Sequence, residues 1–140
     1  MKKYLVIGNP IEHSLSPRLH NYWFKKNNID ANYDKRKIEK DEIKEVISEI
    51  KNNKLNGINV TVPFKNDVIP FLDVLSEESQ ITQSVNTIYV HDKKIVGHNT
   101  DIKGFELSLR ETQFVLENKT IFILGSGGVV PSIIYALEKL

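Results

Sequence analysis

A handful of polar residues, spread over a hundred positions, carry the chemistry this sequence could do. Ser14 and Ser16 stand two residues apart in GNPIEHSLSPRLHN, a pair of short hydroxyls suited to a carboxylate or a polyol. Asn59 and Thr61, in NVTVPFK, fall on one face of an extended segment because side chains alternate there with period two. Lys65 closes that stretch. An ammonium within reach of an oxyanion can stabilise it and then protonate it. Asn86 in SVNT is an amide that donates and accepts, and Asp101 follows in HNTDIKG. Gly125-Ser126-Gly127-Gly128 sits between an apolar run and a helical pattern, the context in which a glycine turn can take a pyrophosphate at a helix N-terminus. Each feature also has an ordinary explanation. Ser16 is a good helix N-cap, worth about 1 kcal/mol without any ligand. A lone lysine is usually solvated, and Asp101 suits the first turn of a helix on dipole grounds alone. The glycine turn is equally a tight strand-to-helix connection. His13 and His20 read as structural or surface groups, because no carboxylate or third histidine shares a ligand spacing with them.

The elements that must position these residues alternate between two hydrophobic periods. Tyr4 to Ile7 reads as a buried strand ended by Gly8. Ser16 and Pro17 open a helix on which Leu19, Tyr22 and Trp23 recur at helical spacing. Asn32 to Ile38 is a more polar strand. Ile43, Val46, Ile47 and Ile50 form one stripe, so residues 40–52 are a surface helix. Gly57 to Val62 is a strand ended by Pro63, and residues 64–81 read as short helices broken at Pro70. Ser84 to Val90 and Lys94 to His98 form a hairpin around Asp92 and Lys93. Thr100 caps a helix carrying Ile102, Phe105 and Leu109 on one face. Thr120 to Leu124 reads as a fully apolar strand, and Val130, Ile133, Ile134 and Leu137 as the inward face of a last helix. Strands alternating with helices imply α/β architecture, a mostly parallel sheet flanked by helices. The style breaks near residue 100. Residues 101–140 make a unit of about 40 residues, too small for an unstapled core, so the sequence reads as a fragment. Its tail, with an apolar stripe uncovered, is expected to be disordered, dimer-forming or aggregation-prone.

Composition narrows the classes. Nineteen Lys and Arg against 18 Asp and Glu give a net charge of +1, so no bulk field draws the chain to nucleic acid or anionic lipid. The absence of cysteine removes disulfides, thiolate metal sites and a Cys nucleophile. No stretch approaches the roughly 20 apolar residues of a membrane span, and the N-terminal apolar run is too short for a secretory signal. A cytoplasmic protein without nucleic-acid or membrane partners is the expectation.

Taken in order, NPIEHSLSPRLHN, NVTVPFK, SVNT, GHNTDIKG and LGSGG resemble the shikimate dehydrogenase family over almost the whole chain. The resemblance implies a shikimate-binding substrate domain over 1–100, then a linking helix and the first βα unit of a truncated NADP-binding Rossmann domain over 101–140. It implies reversible, NADPH-dependent reduction of 3-dehydroshikimate to shikimate in aromatic amino-acid biosynthesis, with no metal. Ser14 and Ser16 would bind the substrate carboxylate; Thr61, Asn86 and Asp101 the ring hydroxyls, with Asn59 in support. Lys65 would be the catalytic group, paired with Asp101. Gly125, Ser126, Gly127, Gly128 and Val129 would hold the cofactor phosphates, and Glu77 matches a position of cofactor contact. Val129, Val130 and Pro131 stand where the family usually has alanines and an arginine. An NAD-dependent quinate/shikimate dehydrogenase and a non-catalytic shikimate-binding fragment are the alternatives, and the 140 residues alone are expected to show little or no turnover. A methyltransferase-like nucleotide domain explains the glycine turn but leaves the first hundred residues without a role.

Overall fold

The apolar run Leu5–Ile7 becomes the middle of β1 (Lys2–Gly8) in the computed structural model, which describes residues 1–140. Parallel neighbours flank it, β2 (Ala31–Lys37) on one side and β3 (Gly57–Val60) on the other. The hairpin β5 (Thr87–His91) and β6 (Lys94–His98) continues the sheet antiparallel to β3, and β4 (Val74–Leu75) closes it parallel to β6. The order is β2-β1-β3-β5-β6-β4. Three of its five pairings are parallel, a mixed α/β sheet.

The crossover helices α1 (Ser16–Lys26) and α2 (Ile43–Lys51) cover opposite faces, because successive residues of β1 point opposite ways. Leu5 and Ile7 join Ile43, Val46, Ile47 and Ile50 of α2 in a core of 15 buried residues. Burying each such aliphatic side chain contributes about 1.5–3 kcal/mol, so the α2 stripe is a main anchor of the fold. Val6, Ile11 and Tyr33 form a smaller cluster on the other face, with Tyr4 and Phe24 against it.

Several expectations need correction. Leu19, Tyr22 and Trp23 are exposed; α1 docks instead through Phe24 and through His20, whose ring stacks on Tyr33 at 4.2 Å. Asn21 fixes the register by exchanging two hydrogen bonds with the Tyr33 backbone. Pro70 sits inside a 3-10 turn (Ile69–Phe71) rather than breaking a helix, and the stretch read as helical contains β4 before the short α3 (Glu77–Thr82). Ser76 caps α3, accepting from the Ser79 N–H. Asp92 and Lys93 both take positive φ, 48° and 63°, as a type I′ hairpin turn requires, although neither is Gly or Asn.

Beyond β6 come α4 (Asp101–Glu111) and α5 (Val130–Glu138), packed on one another. Ile102, Phe105 and Leu109 face inward on α4 as the pattern predicts. On α5 the buried positions are Ser132 and Ala136, not the large aliphatics; Ile134 is exposed and Val130, Ile133 and Leu137 are half-buried. Small residues win that face because it lies close against the body of the protein. The apolar run 120–124 is not a strand. It has no place in the six-stranded sheet, so no ladder forms, and Phe122 and Leu124 are 84% and 98% exposed. No helix is long and apolar enough to cross a membrane.

Candidate active site

Loops from the ends of β1 and β3 meet first. Gly8 makes this possible: a Cβ there would fall 2.6 Å from the Thr61 methyl and 3.0 Å from the Val62 carbonyl oxygen, so only a glycine lets the two chain ends approach. Ser14, Ser16 and Thr61 then line one cavity of about 270 Å³ with His13, Val6, Pro10 and Ile11. Ser16 is not the N-cap. It is the first residue of α1, Leu15 holds the cap position, and the Ser14 Oγ accepts the Ser16 N–H at 3.3 Å. The cavity therefore presents two serine hydroxyls and a threonine hydroxyl around a space open to a small polar ligand.

Lys65 and Asp101 come together from 36 residues apart: Nζ donates to Oδ2 at 2.6 Å, with the side chains 14% and 25% exposed. The turn after Pro63 delivers Lys65, whose carbonyl accepts the Val85 N–H at 2.8 Å. Asp101 opens α4, where the dipole favours a carboxylate. Its second oxygen accepts from Asn86 Nδ2 at 2.9 Å. The same amide group donates to Thr100 Oγ at 2.8 Å, while Asn86 Oδ1 accepts the Thr100 N–H at 3.0 Å. Thr100, expected as a helix cap, makes no cap hydrogen bond; its hydroxyl is engaged by Asn86.

Behind Asn86 stands a brace in which Asn59, expected in a supporting role, is joined by Tyr33, which the sequence did not single out. Asn59 Nδ2 donates to the Asn86 carbonyl at 3.1 Å and to Thr87 Oγ at 3.0 Å, and its Oδ1 accepts from the Tyr33 hydroxyl at 2.6 Å. Burial pushes the Tyr33 hydroxyl pKa up, which keeps it a donor. Asn59 thus shares a face with Thr61 but lines a separate, small hollow beside Tyr4 and Tyr33. The signal was present only as an aromatic in a polar strand.

The glycine turn also borders Lys65. Gly125 to Gly128 line a cavity of about 390 Å³ with Lys65, Asn66, Ser84, Val130 and Pro131. Gly125 takes φ 127°, and a Cβ at Gly125 or Gly127 would meet nothing within 4 Å, so the turn is an open cradle ahead of α5. A Cβ at Gly128 would lie 3.8 Å from that of Lys65. Residues of these types fit a dinucleotide pyrophosphate. Glu77 begins α3 and is not among the residues lining this cavity. A hollow of about 530 Å³ shares no residue with these, an apolar groove between Leu109, Phe114, Ile121 and Leu137.

An α/β sheet that gathers hydroxyls, an ammonium and a carboxylate at its loop ends defines a small-molecule-binding domain. Residues 6–88 match the profile of the shikimate dehydrogenase substrate binding domain, and the chain belongs to that family. It is 59% identical over 139 residues to the shikimate dehydrogenase (NADP(+)) of Pelagibacter ubique, covering 99% of this chain and 52% of that protein. Shikimate dehydrogenase 1 from Peptoclostridium difficile superposes with a TM-score of 0.93 at 30% identity, covering 99% of this chain and 53% of the other. Shikimate 5-dehydrogenase from Thermus thermophilus, solved with NADP(H) and shikimate, gives 0.90 at 28% identity, with 99% and 52% covered. The chain spans about half the length of the relatives it matches.

Proposed function

We propose that this chain is the substrate-binding and proton-transferring part of a shikimate dehydrogenase, which reversibly reduces 3-dehydroshikimate to shikimate with NADPH. The observation that carries the reading is the Lys65–Asp101 pair, held at 2.6 Å, with Lys65 lining the glycine-turn cavity and standing four residues after Thr61 of the hydroxyl-lined one. Residues 1–100 act as the substrate domain, and 101–140 link it to, and begin, the NADP-binding domain. The names of the relatives support NADP over NAD. In this reading the partners are small molecules, the setting is the cytoplasm, and a homodimer is the assembly to look for by sedimentation.

When bound along Gly125 to Val129, the cofactor supplies the hydride. Ser14 and Ser16 hold the substrate carboxylate as hydroxyl donors. Thr61, Asn86 and Asp101 take the ring hydroxyls, and Asn59 fixes Asn86 from behind. Lys65 has one donor on Asp101 and faces the developing alkoxide with the others, stabilising it and then giving it a proton. In the oxidative direction Lys65 takes that proton back. The experiment is NADPH oxidation coupled to 3-dehydroshikimate, run on an enzyme that carries this chain joined to the second half of the Pelagibacter ubique relative. Turnover lost on Lys65→Ala supports the reading, whereas shikimate binding with no turnover in the parent leaves only a binding domain.

A further inference from the structure

Asn99 is 2% exposed, lies between β6 and α4, and has no place in the chemistry described above. Its carboxamide nevertheless touches four parts of the molecule. Nδ2 donates to Ser132 Oγ at 2.8 Å, to the Ser84 carbonyl at 3.1 Å and to Thr82 Oγ at 3.2 Å. Oδ1 accepts the Asp101 N–H at 3.0 Å. Ser132 is itself fully buried, in the first turn of α5 just behind the glycine turn. A second tie runs alongside, from Ser84 Oγ to the Gly128 carbonyl at 3.0 Å.

We infer that Asn99 is a positioning residue, a single buried carboxamide that locks the glycine turn and α5 onto the backbone of Asp101. The inference rests on the function proposed above for Asp101 and the turn, and it names what holds the two in register. A buried amide is tolerated only when its donors and acceptor are all engaged. Here they are, and the partners come from α3, the loop before β5, α4 and α5. Side chains of the same size do not fill the role: Asp has no donor for Ser132 and the Ser84 carbonyl, and Leu has neither donor nor acceptor. Because Gly128 lies against the stem of Lys65, any slackness in this joint shifts the turn relative to the ammonium.

Ser132→Ala in the 140-residue chain removes one bond of the joint and touches nothing assigned to binding or catalysis. In nitrogen-15 spectra the Asn99 side-chain amide pair shifts, and so does the backbone amide of Asp101, although Ser132 and Asp101 share no hydrogen bond. Amide exchange over residues 127–130 rises about tenfold while β1 is unchanged, as loss of one hydrogen bond in a local opening requires. An Asp101 amide that stays in place, with exchange at 127–130 unaltered, overturns the inference. Asn99→Asp, which keeps the acceptor and loses the donors, is the second variant; it should free the α5 end while leaving the Asp101 amide bonded. Shikimate titration of the parent is read separately. Its failure would strike at the function and leave the joint to be judged by the unliganded spectra.

Discussion

Electrostatics dominate the surroundings of Lys65. The Lys65 side chain is 14% exposed, salt-bridged to Asp101 and bordering the glycine-turn cavity. In the whole enzyme Lys65→Ala should lower kcat by orders of magnitude with a modest change in KM; a near-normal kcat rejects Lys65 as the proton donor. Ser14→Ala and Thr61→Ala remove binding shared by ground and transition states, so steady-state kinetics should show a raised KM and a nearly constant kcat. Tyr33→Phe makes a different point. It strands the Asn59 Oδ1 without its 2.6 Å donor, and an orphaned buried acceptor costs about 1–3 kcal/mol. Urea unfolding should show that loss, and an unchanged midpoint would mean that the brace is unimportant. The residues of the candidate site were legible because each lies in a short local motif. The Tyr33–Asn59–Asn86 brace was not, since its members belong to three separate strands or strand ends and meet only through sheet register.

Elements succeed or fail here by what lies beside them. The α2 stripe was readable because Ile43, Val46, Ile47 and Ile50 repeat at helical spacing and all four are buried. The α1 pattern misled because its large aliphatic and aromatic residues sit on the open side, while His20 and Phe24 make the contact. That packing has a pH consequence. Burial holds the His20 pKa below the ordinary imidazole value, so the unfolded chain binds the proton more readily. The contribution of His20 to stability is present above the ordinary histidine pKa and is lost as pH falls through the depressed folded value. Urea titrations should therefore show His20→Phe flattening the fall in stability on the acid side of neutrality, and a profile parallel to the parent's contradicts this. Gly8 is the corresponding case between β1 and the Thr61 loop. Gly8→Ala must move the Thr61 methyl by several tenths of an ångström or more, so thermal melts should show a clear loss of stability. A melting temperature equal to the parent's would mean the two chain ends are not as close as described.

Across the whole molecule, one sheet and two helical layers bring residues from four sequence segments to two cavities that both draw on residues 61–66. The apolar run 120–124 illustrates why a strand is not a property of sequence alone: Ile121 to Leu124 has every strand-forming residue and no neighbouring strand. The glycine turn after it keeps its open form because Ser84 and Asn99 anchor it from the first hundred residues. The most direct test of the account is calorimetric titration of shikimate into the 140-residue chain and its Ser14→Ala, Thr61→Ala and Asp101→Asn variants. The parent should show one saturable site, weakened about tenfold by each substitution, the effect of one well-placed hydrogen bond to a charged or polar ligand. Absence of binding at millimolar shikimate, or variants that bind as tightly as the parent, would contradict it.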